Sequence, residues 1–226
     1  MFDFYDGLTA RLRAIGDWIW PTGLRLIMFW EFWEAGITKY RGDNWFASVP
    51  WADWQKGFPA PFEQLGPDVN WTLATYGELV FSVMVLFGLF TRFAAVSLLV
   101  ITGVATAAVH WPADWSSLQE LWTGYVITAD SAGNYKLPLL FDLLLLPLIF
   151  YGGGKLSLDH LLITLTGRNI RLDDRTGGMQ CLGLGLLVLS LGVIWIEPVW
   201  GYALLAPAVA ALVLPQFMGN PLRPER

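Results

Sequence analysis

The sequence predicts an all-α integral membrane protein, built as a bundle of six apolar helices. Of its 226 residues, 55% are hydrophobic, and the mean hydropathy is +0.48. Only 15% are charged, whereas soluble domains average about a quarter. Helices are expected because the apolar runs reach about 20 residues, and at 1.5 Å rise per residue such a run crosses the hydrocarbon layer of about 30 Å.

Charge and cysteine content exclude several functional classes. The formal charge is −5 and the chain has no basic block, which argues against nucleic acid as a partner. Cys181 is the single cysteine, so an internal disulfide and a CxxC redox pair are impossible. A cysteine-based metal site is disfavoured for the same reason.

The N-terminal segment, residues 1–20, is predicted to be an amphipathic helix on the membrane surface. Leu8, Leu12, Ile15 and Ile19 recur there at helical spacing, and the segment is too polar to cross the bilayer. It leads into a first span at about 21–40.

Five further spans are expected, at about 71–90, 94–110, 135–151, 179–196 and 200–217, the fourth with a kink near Pro147. Residues 21–178 then form a four-helix membrane domain with tryptophan-rich outward loops at 41–70 and 111–134. A two-helix extension at 179–217 and a cytoplasmic tail at 218–226 complete the chain. A short interfacial helix is expected at 117–125.

The C-terminal helices carry small residues that permit close helix approach, so we expect them to dock a partner protein of a membrane complex. These residues are Gly183, Gly185, Gly192, Gly201, Ala206 and Ala210. The lipid bilayer is the other expected partner.

The distribution of positive charge predicts the orientation. Nine lysines and arginines lie in the two ends and the even-numbered connections, against four in the odd-numbered connections. The positive-inside rule then places both termini in the cytoplasm and the tryptophan-rich loops outside.

Carboxylates inside the spans are the strongest indication of a functional site. Glu31 and Glu34 lie in the first span, and an ionised group at that depth costs about 2.5 kcal/mol or more against lipid. On a helical wheel they share a face with Ile27 and Thr38, so we expect them to point inward, with Arg25 and Lys39 on the far side.

Helix rise sets the depth of the other polar groups. Glu78, Asp142, His110 and Lys39 fall in the outer half of the bilayer together with Glu34. The sequence therefore predicts one outer polar layer shared by four spans.

Three stretches then show a family resemblance. They are LRLIMFWEFWEAGITK at 24–39, GELVFSVMVLFGLFTRFAA at 77–95 and GGGKLSLD at 152–159. In this order they resemble the DoxX family, through Arg25, Gly36, Lys39, Glu78, Gly88, Arg92, Gly152, Gly154, Ser157 and Asp159. Residues 110–112 and 133–138 further resemble the branch encoded beside copper-binding peptide-maturation genes. The last two spans depart from the family pattern.

The resemblance implies a bundle of the bacterial inner membrane, linked to quinone-dependent oxidoreductases or to stress responses, with a quinone as its cofactor. No haem-ligand pair or nucleotide loop occurs in the sequence, so redox chemistry would need a bound quinone or a partner's cofactor. In this hypothesis the proton-exchanging acids are Glu34, Glu78 and Asp142. The quinone-binding or ion-pair residues are Lys39, His110, Trp30, Trp33, Arg25 and Arg92.

Two alternatives stay open. Glu31, Glu34, Glu78 and His110 offer ligands for a divalent cation, which would make the chain a transport, metal-handling or assembly subunit. Glu78 can instead form a structural ion pair with Arg92 or Lys39. In the third stretch, Gly152 to Gly154 permit a left-handed turn and Ser157 is expected to cap a helix at 158–165.

Overall fold

The computed structural model describes residues 2–46, 57–112, 116–125, 134–167 and 178–217, and within these ranges the regular structure is helical. The long helices are α1 (Phe2–Arg41), α2 (Pro67–Phe87), α3 (Thr91–Ala105), α5 (Lys136–Tyr151), α7 (Gly178–Val193) and α8 (Pro198–Phe217). Two short helices connect them, α4 (Leu118–Thr123) and α6 (Leu158–Leu165). A π-helical turn, Thr106–His110, continues α3. The all-α membrane fold is thus confirmed.

Three helices are long and apolar enough to cross a membrane in the part of the chain described: Pro67–Phe87, Thr91–His110 and Pro198–Pro215. Gly178–Val193 is apolar but shorter. Helices also occupy the other expected positions, although the count of six spans stays a prediction. Parts of the loops at 41–70 and 111–134, the segment at 168–177 and the tail at 218–226 lie outside the described residues.

Helices α1, α2, α3 and α5 form the bundle, and α7 and α8 pack together as a pair against α3. In the main core cluster, Met28 of α1, Val85 of α2, Leu98 of α3 and Leu145 of α5 are fully buried. Val188 of α7 joins the same cluster. Burial of these side chains between helices fixes which face of each helix points inward.

The inward face of α1 differs from the prediction. Leu24, Met28, Phe32 and Gly36, each four residues from the next, are the buried positions, and Arg25 is buried beside them. Side chains four residues apart share a helix face, so this apolar row decides the rotation of the helix. The expectation that the glutamates point inward and the cations outward was wrong for this helix.

Residues 2–20 form a helix that continues without a break through Pro21 into the bundle segment of α1. Their hydrophobic side chains, among them Leu8, Leu12 and Ile19, are exposed. This part of α1 meets the bundle at Asp17, whose carbonyl oxygen accepts a hydrogen bond from the Lys155 amide at 3.3 Å. The predicted placement of the segment on the membrane surface stays a prediction.

The stretch at 152–159 packs against the turn between α2 and α3 and closes it. Gly88 adopts a left-handed conformation with φ of +65°, and its carbonyl oxygen accepts a hydrogen bond from the Asp159 amide at 2.9 Å. The Asp159 carboxylate in turn accepts hydrogen bonds from the Phe90 and Thr91 amides, at 2.7 and 2.8 Å. A carboxylate at this position satisfies amides that the first turn of α3 leaves without partners.

A serine side chain caps each of the two connecting helices. The Ser157 hydroxyl accepts a hydrogen bond from the His160 amide at 3.1 Å and so caps α6, as expected. Ser117 caps α4 in the same way through the Glu120 amide. Hydrogen bonds from the amide and hydroxyl of Ser116 lower the pKa of Glu120. Each cap supplies an acceptor that the helix start lacks.

Most glycines of α7 and α8 pack against other residues of the same chain. A Cβ added at Gly183 would lie 2.9 Å from Leu212 Cγ of α8, and Gly201 packs against Ile194. Gly192 faces α3, where a Cβ on Gly103 would come within 2.5 Å of the Gly192 carbonyl oxygen. Of the four glycines expected to dock a partner, only Gly185 has open space around it. Close helix approach therefore holds the extension onto the bundle.

Substituting Gly103 with alanine should weaken the attachment of α7 to α3. The added methyl has no room beside Gly192, and such overpacking costs about 1–3 kcal/mol of unfolding free energy. Thermal unfolding in detergent measures the loss. Gly185→Ala, where the methyl meets nothing within 4 Å, is the matched control and should leave the melting temperature unchanged or raised.

Candidate functional site

The central polar contact of the bundle is an ion pair between α1 and α2. Lys39 Nζ lies 2.9 and 2.8 Å from the two carboxylate oxygens of Glu78. The Glu78 side chain is 5% exposed and that of Lys39 19%. A charge so deeply buried is tolerated only with a close partner of opposite sign, so these two residues depend on each other.

Gly36 makes this short contact possible. A Cβ at Gly36 would lie 2.9 Å from Leu79 Cγ and 3.2 Å from Glu78 Cβ, so the backbone of α1 rests directly on the side chains of α2. Lys39 is one helical turn further along the same face. Gly36, Lys39 and Glu78 thus form one unit in which a small residue sets the helix separation that the ion pair needs.

The ion pair borders a cavity of about 310 Å³, which we call the first cavity. Its volume lies at the lower end of the range of about 300–1,000 Å³ that is usual for small-molecule sites. The polar side chains at its wall are Lys39, Glu78, Asn70 and His110. The remaining wall is apolar: Trp45, Phe46, Phe58, Phe62, Leu65, Leu73, Ala74, Val100, Ile101, Val104, Ala105, Ala108, Val109 and Trp195.

Aromatic side chains from the loop between α1 and α2 cover this cavity. Trp45 and Phe46 pack edge-on against Trp71 of α2, with ring centres 5.8 and 5.1 Å apart. Phe58 and Phe62 pack edge-on against Trp195, at 5.1 and 5.2 Å. The described part of the loop therefore forms an aromatic cap over the first cavity.

Trp195 is a site residue that the sequence did not indicate. It lies in the turn between α7 and α8, is 9% exposed, and donates a hydrogen bond from its indole nitrogen to the Leu191 carbonyl at 2.8 Å. The two-helix extension thus supplies one wall of the first cavity. Its apolar run indicated a span, but nothing in the pattern showed that the following turn reaches the bundle.

The π-helical turn Thr106–His110 brings His110 to the cavity wall. It ends where the Trp111 amide donates to the Thr106 carbonyl at 2.7 Å, five residues back along the chain. Single π turns inside α-helices occur frequently at functional sites, because they rotate the following side chains relative to an α-helix. Here His110 faces the first cavity whereas Trp111 faces a different one.

Asp142 belongs to that other cavity, of about 290 Å³, which we call the second cavity. It lies between α3, α5 and α7. Leu99 and Thr106 form its α3 wall, and at 100° per residue they fall on the opposite side of α3 from Ile101 and Ala108 of the first cavity. The polar residues that were predicted to share one layer therefore line two separate cavities: Lys39, Glu78 and His110 the first, and Asp142 the second.

Known proteins were compared with the chain at this point. Residues 21–111 match the DoxX family model. An uncharacterized protein of Haemophilus influenzae is 39% identical over 153 residues, which cover 68% of this chain and 89% of that protein. The chain belongs to the DoxX family. No solved structure matches it significantly.

The matched region of this DoxX protein contains Lys39, Glu78 and His110, and it ends at the π turn. The ion pair and much of the first cavity are thus built from the family part of the chain. Asp142 and Trp195 lie outside the matched residues.

Arg25 and Arg92 lie at the opposite end of the DoxX bundle, away from the first cavity, where they bind backbone carbonyls. Arg25 donates to the Leu86 and Leu156 carbonyls at 3.1 and 2.5 Å. Arg92 donates to the last carbonyls of α5, those of Ile149 and Phe150, at 3.0 and 2.5 Å. A guanidinium at helix C-termini satisfies carbonyls that have no intrahelical donor. The structure thus assigns both arginines to the ends of helices.

Glu31, Glu34, Trp30 and Trp33 line neither cavity. Glu34 is exposed, Trp30 is 63% exposed, and Glu31 and Trp33 are half-buried. Among the residues the structure describes, no three His, Cys, Asp or Glu side chains come close enough together to hold a metal ion. The proposed set of metal ligands is therefore divided: Glu78 and His110 share the first cavity, and Glu34 faces outward.

Replacing Lys39 with methionine should destabilise the protein by about 3–5 kcal/mol, because Glu78 is then a buried charge without a partner. The double variant Lys39→Met/Glu78→Met removes both charges, so it should regain most of that loss. Unfolding of the four proteins in detergent completes the double-mutant cycle. Asp6→Asn, at an exposed position of α1, is the control for loss of a carboxylate and should change stability by less than about 0.5 kcal/mol. Additive effects of the two substitutions would contradict the pairing.

Proposed function

We propose that the first cavity binds the head group of a membrane quinone, and that this DoxX protein acts as a quinone-linked subunit of the bacterial inner membrane with both termini in the cytoplasm. The observation that carries the proposal is an aromatic, apolar cavity with a lysine–glutamate pair in its wall. A quinone head group is flat and apolar with two polar oxygens, so it requires aromatic walls and few polar contacts.

The polar residues of the cavity fit the two redox forms of such a ligand. An ammonium group has three N–H donors, and two of those of Lys39 bond to Glu78, so the third is available to a carbonyl oxygen. Glu78 can accept the proton of a hydroxyl group, and His110 offers a second hydrogen-bonding group. A bound quinone supplies two-electron redox chemistry, and the chain supplies orientation, exclusion of water and proton exchange.

Decylubiquinone binding in lipid nanodiscs tests this proposal. Val104→Trp places a large ring in the first cavity, so it should weaken binding at least tenfold. Leu143→Trp makes the same change in the second cavity and should leave the affinity within twofold of the wild type. Equal affinities in all three proteins, after subtraction of empty nanodiscs, would rule out the first cavity as the quinone site.

A second candidate function is a supporting subunit of a membrane complex, and the exposed carboxylate of Glu34 favours it. Glu34 and Trp30 lie on the outward face of α1, and a carboxylate facing lipid costs about 2.5 kcal/mol or more. A partner helix with a basic side chain would remove this cost. The resemblance of residues 110–112 and 133–138 to the copper-binding-peptide branch is compatible with such a supporting role.

A photo-crosslinking residue at position 34, introduced in native membranes, should capture one partner protein in this second case. The same residue at Val80, which is 52% exposed on α2, is the control and should crosslink only to lipid. Lipid adducts alone at both positions would eliminate the partner at this face.

A further inference from the structure

The second cavity has a composition that the proposed quinone site does not explain. About half of its lining residues are leucines and valines, most of them on α5 and α7, and Trp111, Tyr135 and Trp200 form an aromatic cluster in its wall. Among the described residues that line it, Asp142 is the only carboxylic acid and none is a lysine or arginine. The described wall therefore carries one carboxyl group in an apolar and aromatic surrounding.

One carboxyl oxygen of Asp142 has no hydrogen-bond partner among the described residues. Its Oδ1 atom is buried and has no hydrogen-bond partner in the described part of the chain. A buried carboxyl oxygen without a partner is costly, and native structures retain such groups mainly where a ligand, ion or water completes them. This oxygen can therefore accept a hydrogen bond from a donor that the described part of the chain does not supply.

The aromatic end of the cavity is held in place. The Trp111 indole donates to a Glu197 carboxylate oxygen at 3.2 Å, and the Tyr135 hydroxyl donates to the Leu121 carbonyl at 2.9 Å. The Trp111 ring centre lies 5.1 Å from that of Tyr135 and 6.4 Å from that of Trp200. Fixed aromatic faces in the same cavity as a carboxylate are features by which proteins recognise organic ammonium ions.

We propose that the second cavity binds a lipophilic organic ammonium ion, with its charge at Asp142 and its apolar body between α3, α5 and α7. A divalent metal requires several oxygen or nitrogen ligands, and one carboxylate among leucines does not provide them. A monovalent organic cation requires one counter-charge, aromatic faces and room for hydrocarbon. All three are present. This site is separate from the first cavity and does not depend on its quinone.

Binding of 2-(2-naphthyl)ethylamine to the protein in lipid nanodiscs tests the proposal, with 2-(2-naphthyl)ethanol as the uncharged analogue. At pH 7 the wild type should bind the amine at least tenfold more tightly than the alcohol, after subtraction of empty nanodiscs. Asp142→Asn removes the counter-charge at constant size, so it should bring the two affinities within twofold. Asp6→Asn removes an exposed carboxylate of α1 that lines neither cavity, and it should preserve the preference.

A second variant covers the case in which Asp142→Asn fails to fold. Val193→Phe retains the carboxyl group and fills the cavity, so it should lower amine affinity at least tenfold. The proposal is overturned if the wild type shows no preference for the amine, if the preference persists in Asp142→Asn, or if Val193→Phe binds the amine as the wild type does.

Discussion

The ion pair between Lys39 and Glu78 is the contact on which the arrangement of the site depends. Each charge lies where water is scarce, and each is tolerated because the other is within 2.9 Å. Together with the buried row of Leu24, Met28, Phe32 and Gly36 on α1, this requirement sets the rotation of α1 relative to α2. Gly36 also provides the separation at which the pair can form. The same rotation turns Phe32 into the core and Glu34 away from it. Placement of the first cavity follows from this packing.

The charged residues of the stretches at 24–39, 77–95 and 152–159 take two physical roles at the two ends of the bundle. At one end, Arg25, Arg92 and Asp159 bind carbonyls and amides, most of which helix ends leave without intrahelical partners. At the other end, Lys39 and Glu78 pair beside an open cavity. The charged residues of these three stretches thus need not all be functional, because several of them form hydrogen bonds with backbone carbonyls and amides.

The sequence predicted the helices well because apolar runs of membrane length have few alternatives. It also predicted the Ser157 cap and the glycine turn, where Gly152 and Gly154 adopt positive φ. The outer depth of Glu78, Lys39 and His110 stays a prediction. The sequence did not predict in which direction each side chain points around its helix axis. Depth follows from counting residues along a helix, whereas the neighbour that a side chain faces depends on packing between helices distant in sequence. The depth argument therefore placed Asp142 in one layer with Glu78 and His110, although these residues line two different cavities.

A cryo-EM map of the protein in nanodiscs taken directly from native membranes would test the central claim, that the cavity beside Lys39 and Glu78 is a site for a flat redox ligand. Ring-shaped density is expected between the aromatic cap and the ion pair, within hydrogen-bond distance of Lys39 Nζ. A cavity filled only by water or by a lipid acyl chain, in a map that resolves the Lys39 and Glu78 side chains, would contradict it.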